Sequence, residues 1–180
     1  MENYNLEVLL ERSNQVSLGI RARQTGITLK EYFLNQKQRA KNILKSQRVK
    51  VSNAVATIDV TIKIKRNASS TEYVKITNKA GKATRQLLCS QGMTINKVLS
   101  NFKKFATQIY GLIKDRCRTI EKICNAGIAK CGPIIKGKTD QATVNNAKAM
   151  KVEVKEYNAL LNDSLEDMRE LFKAYHRAFR

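Results

Sequence analysis

Four cations, Lys37, Lys41, Lys45 and Arg48, follow one another at spacings of four, four and three. On a helix those spacings bring them to one face. A row of ammonium and guanidinium groups suits a phosphate backbone, where affinity comes from released counterions. Arg21, Arg23 and Lys30 extend the row. Asn35, Gln36, Gln38, Asn42 and Gln47 stand beside it and can hydrogen-bond phosphates or bases. A charge row is most often a solvated helix face. What sets this one apart is the shortage of acids: from Arg21 to Lys50 there are nine basic residues and only Glu31 opposing them.

A second basic group, Lys63, Lys65, Arg66 and Lys75, falls where the sequence predicts a β-hairpin. A basic two-stranded ribbon can enter a duplex groove. Lysines also protect a strand edge from aggregation, and that is the stronger reading for these four. The hairpin could equally add strands to a neighbour in a ring or shell.

Other chemistry is thinly supplied. Cys117, Cys124 and Cys131 recur at seven. Seven residues place thiols ~10 Å apart along a helix, too far for one zinc with ~2.3 Å bonds to sulfur. Buried small hydrophobes are the better reading, with Cys131, beside Gly132-Pro133, the most exposed. Gly81-Lys82 faintly resembles a phosphate loop, but Ile76 stands where that pattern needs glycine, and Ala83 where it needs Ser or Thr. The single histidine, His176, leaves no base for a His-dependent nucleophile in a cleft. Asp163, Glu166, Asp167 and Glu170 cluster late in the chain, but Arg169 and Lys173 stand among them. They read as a contact for the basic part of another subunit. The sequence therefore predicts no catalytic residues, no metal site, no cofactor and no small-molecule substrate.

The elements that must carry these groups are mostly helical. Proline occurs once, as Pro133, and glycine is scarce. Ile95, Val98, Phe102, Phe105, Ile109, Leu112, Cys117, Ile120 and Cys124 recur three or four apart, one stripe of a long helix over about 94–131. Val144, Ala147, Val154, Tyr157, Leu161, Leu165, Met168, Phe172, Tyr175 and Phe179 repeat the pattern over about 139–179. Together they predict an elongated antiparallel helical hairpin, each arm on the order of 55–60 Å. Two N-terminal helices are expected at about 5–23 and 28–51, separated at Thr25-Gly26. The second would start on a capping box, Thr28 to Glu31. Ile58, Val60, Ile62 and Ile64 alternate with polar residues, which predicts a strand over about 57–65 that returns over about 71–77. A short helix around 84–90 follows. The expected organisation is one domain, 1–180: basic N-terminal helices (1–56), hairpin and linker (57–92) and the long helical hairpin (93–180).

The formal net charge is +19 over 180 residues. Self-repulsion on that scale is relieved by a polyanion. The excess is uneven: 27 Lys and Arg face 8 acids up to Lys138, while Thr139–Arg180 carries seven of each. No apolar run long enough to span a membrane and no secretory leader is visible, so an intracellular or virion setting without membrane contact is expected. The composite expectation is a mainly α, non-enzymatic, oligomeric protein that binds DNA or RNA backbone without strong sequence preference, as a nucleoprotein or virion-type component. The alternative is a purely structural ring, connector or shell component whose basic surface meets acidic protein neighbours.

Overall fold

The computed structural model describes the backbone of residues 6–61, 67–138 and 140–179, and side chains over 19–56 and the latter two segments. The chain is mainly helical with one small antiparallel hairpin. The order is α1 (Leu6–Thr61), β1 (Glu72–Thr77), β2 (Ala83–Cys89), α2 (Ile95–Ile135) and α3 (Gln141–Arg177).

The two expected N-terminal helices are one continuous helix, α1. Its interior is rich in Lys, Arg, Gln and Leu, which favour helix, and no proline interrupts it. Gly26 is not a break. It lies buried under α2, where an added Cβ would come 2.6 Å from Ile134 Cγ2. Thr28 is not a cap either, because its hydroxyl donates to the Gln24 carbonyl one turn back at 3.0 Å.

The hairpin also pairs differently. The return strand expected at 71–77 is β1, but its partner is β2, in the place of the expected short helix 84–90. The other expected strand, 57–65, is helical as far as Thr61, and 62–65 lie outside the described residues. The turn decides the pairing. Asn78 Oδ1 accepts from the Ala80 and Lys82 amides at 3.0 and 2.9 Å, and Gly81 takes a left-handed φ of 78°. An Asx turn closed by glycine joins two adjacent strands with no long loop to close. The 57–61 segment needs only to propagate an existing helix.

The two long helices fall close to expectation. Thr94 caps α2, its hydroxyl accepting from the Lys97 amide at 3.4 Å. Asp140 caps α3, accepting the Thr143 amide at 3.0 Å, which holds its carboxyl below the usual range. The α2 helix does not stop at Cys131 but runs through Pro133 to Ile135. Ile134 is fully buried there, and Gly26 leaves room for it.

The chain divides into two units. The first comprises Met1–Arg39 with Ile120–Lys155. Its core holds Leu29 and Phe33 from α1, Ile120, Cys124, Cys131 and Ile134 from α2, and Val144, Ala147 and Val154 from α3. Gly127 lies against the Phe33 ring, where a Cβ would meet Cε2 at 2.5 Å.

The second unit comprises Ala40–Thr119 with Glu156–Arg180. Its α2 and α3 segments run antiparallel: Phe102 packs on Phe172 and Tyr175, while Arg116 reaches Leu160 and Ser164. Val74, Ile76 and Leu88 of the hairpin are buried against them. The end of α3 is closed by Ser69 and Ser70, whose hydroxyls donate to the Ala178 and Arg177 carbonyls. Arg177 meets Glu72 through two hydrogen bonds of 3.0 and 3.2 Å.

Candidate functional site

In the first unit, Leu29 and Phe33 point α1 inward, so its flanks carry the cations. Arg23, Lys30 and Lys37 recur at seven and return to one flank. That flank faces α2: the charge of Lys30 acts on the Cys131 thiol and that of Lys37 on Cys124. Arg21 does not belong to this row. Two residues before Arg23, it sits about 200° away around the helix. With Gln24, Thr25, Thr28 and Leu29 it lines a cleft of about 610 Å³ closed by Lys148 and Lys151 of α3. The Lys151 ammonium lies 4.8 Å from the centre of the Tyr32 ring. No carboxylate lines this cleft.

In the second unit, Ala40 is buried and Ile43, Leu44 and Gln47 are half-buried along α1. Lys41, Lys45 and Arg48 stand exposed beside them. Lys50 lies on the other flank, its ammonium 4.9 Å from the Phe172 ring centre. Among the described residues no carboxylate pairs with Lys41, Lys45 or Arg48, nor with Arg21, Arg23, Lys30 or Lys37.

The hairpin cations are different. Lys63, Lys65 and Arg66 lie outside the described residues. Lys75 pairs with the buried Asp167 at 3.6 Å, and Arg85 stacks 4.4 Å over Tyr73. Both line a cavity of about 510 Å³ that also holds Glu166 and Glu170. Positive charge there is already compensated within the chain. The acidic cluster finds intrachain partners in the same way: Glu166 accepts from Arg169 Nε at 3.0 Å, and Glu170 lies 3.4 Å from Lys173.

Arg116 is a cation the sequence reading placed on the basic back of α2, yet it is only 3% exposed. Its guanidinium donates to the carbonyls of Asn78 at 2.7 Å and Leu160 at 3.0 Å, and to the Ser164 hydroxyl. Burial pulls its pKa down, opposed by Asp163, Asp167 and Asp115. Beside it, Asp167 Oδ2 accepts the Thr77 amide at 2.7 Å. These contacts fix the hairpin on its helices.

All four cysteines are free and buried. Burial pushes the Cys124 thiol up to about 11, and raises Cys89 and Cys131 as well. Cys131, expected to be the exposed one, is fully covered because α2 continues past it. Among the described residues no three His, Cys, Asp or Glu side chains gather to hold a metal ion, and no helix is long and apolar enough to cross a membrane.

Lys148 and Lys151 were missed from sequence, because they lie in the segment whose charges balance. Their i, i+3 spacing beside the buried Ala147 and Val154 is the signal that puts both at the edge of the core. Compared with models of protein families, with curated proteins and with solved structures, the chain matches none.

Proposed function

We propose that this is a non-enzymatic, self-associating protein that binds the nucleic-acid backbone without strong sequence preference, as a nucleoprotein or virion-type component. The observation that carries the reading is the uncompensated charge along α1. In the first unit the described side chains include 12 Lys and Arg against 4 acids. The flanking cations have no intrachain carboxylate, whereas those of the hairpin do. Exposed, unpaired cations flanked by amides position a phosphate backbone and carry no base code, which accounts for the absence of sequence preference.

The test is anisotropy of labelled DNA and RNA oligonucleotides of unrelated sequence at low salt. Comparable affinities across sequences support the reading, and no binding removes it.

A second reading has its own observation. Ile20, Ile27 and Leu34 of the first unit are 56%, 42% and 46% exposed, and they recur at seven on α1. An exposed apolar stripe of that spacing favours a structural assembly protein with basic contacts to acidic protein neighbours. Light scattering at high salt separates the two. A monomer there removes assembly, and an oligomer that binds no nucleic acid makes this second reading the primary one.

A further inference from the structure

We propose that the cleft between α1 and α3 of the first unit, formed by Arg21, Thr25, Lys148 and Lys151, is a discrete phosphate-binding site. On the nucleic-acid reading, on which the source of the phosphate rests, it seats one backbone phosphate.

Three cations from two helices converge on this cleft, and no acid lines it. The cavity of similar size beside the hairpin sets Lys75 and Arg85 against Glu166 and Glu170. One cleft is neutralised by its own chain and the other is left positive. Like charges held together in a chain of net charge +19 repel, and a bound anion removes that repulsion.

The chemistry of the lining suits a phosphate. Arg21 offers a planar fork for two oxygens, and Lys148 and Lys151 act as point charges. Lys151 is half-buried, with its ammonium against the Tyr32 ring, so an aromatic face holds it in place. Gln24 and Thr25 supply neutral donors. The Thr28 hydroxyl is already committed to the Gln24 carbonyl. Leu29, 4% exposed, forms an apolar floor that keeps water from screening the charges. At about 610 Å³ the cleft has room for a phosphate with its ester neighbours.

The experiment uses the full chain and two probes: inorganic tripolyphosphate by calorimetry, and a labelled single-stranded oligonucleotide by anisotropy. Lys148→Gln with Lys151→Gln is compared with Lys41→Gln, Lys45→Gln and Arg48→Gln, and with the charge-keeping Lys148→Arg with Lys151→Arg. Urea midpoints establish that all three variants are folded. The cleft variant is expected to lose about tenfold in tripolyphosphate affinity, while the other two stay within about twofold of wild type. Its oligonucleotide salt slope should fall by about 1.4, at ~0.7 per lost phosphate contact. Wild-type tripolyphosphate affinity in the cleft variant, or no binding by the wild-type chain, overturns the proposal. If tripolyphosphate binds through the cleft and the oligonucleotide does not bind, the site stands and the nucleic-acid reading falls. If the oligonucleotide binds and the cleft variant retains the full slope, the reading stands and the site falls.

Discussion

The Arg116 guanidinium donates to the Asn78 carbonyl at 2.7 Å, and through its other nitrogen it holds the Leu160 carbonyl and the Ser164 hydroxyl. One buried cation thus ties the hairpin turn to α3. The hairpin has only two strands, too few to stand alone in water, so this tether and the buried Val74, Ile76 and Leu88 keep it in place.

Arg116→Met keeps the length of the side chain but leaves those oxygens buried without a donor. The expected cost is about 3 kcal/mol in urea unfolding. A loss below about 1 kcal/mol would show that water or a local shift replaces the guanidinium.

Two glycines of α2 should respond in opposite directions. Gly127→Ala drives a methyl into the Phe33 ring, which sits 2.5 Å from the Cβ position. Repacking should cost about 1–3 kcal/mol, more than the gain in helix propensity. Gly111 is exposed and meets nothing within 4 Å. Gly111→Ala should therefore stabilise by about 0.5–1 kcal/mol. Thermal melts of both variants decide this, and equal shifts of the same sign would contradict the packing described for Gly127.

What could be read from sequence follows from this contrast. The stripes of α2 and α3 were legible because a buried face at helical period needs no partner to be recognised. The period alone could not tell why a glycine is present. Gly26 looked like a break, yet it is there because Ile134 needs the space. The alternation Ile58–Ile64 outweighed Ala83–Cys89, whose inward face shows only at Leu88 and Cys89. Arg116 looked like surface charge because its partners are backbone oxygens, which the residue string does not display. The α1 row was legible in outline, but Arg21 belongs with Lys148 and Lys151, a grouping that exists only once α1 and α3 of the first unit are packed.

The buried thiols give a pH dependence. Cys124 is raised from 9.0 to about 11 by burial, its folded pKa lying above its unfolded one. The stability linked to that thiol is complete below about pH 9 and is lost as pH rises through about 11. Cys124→Ala should be less stable than wild type at neutral pH, because it leaves a small cavity. The gap between the two should narrow between those pH values. A gap that stays constant with pH would show that the thiol titrates normally.

Reagents that need a thiolate should meet the same protection. In the native protein at neutral pH, none of the four cysteines should react quickly with a disulfide reagent, and all four should react once urea unfolds the chain. Rapid labelling of Cys131 in the native state would contradict the continuation of α2 past it.

The central claim is that the unpaired cations of α1 meet nucleic-acid phosphates. Its most direct measurement is the affinity for a short single-stranded oligonucleotide as salt is raised, for the wild-type chain and for Lys41→Gln with Lys45→Gln and Arg48→Gln. The account predicts tight binding at low salt and a linear fall of log K with log salt. The slope should be shallower by about 2 in the variant, at ~0.7 per phosphate contact removed. No binding at low salt, or binding that does not weaken as salt rises, would contradict it.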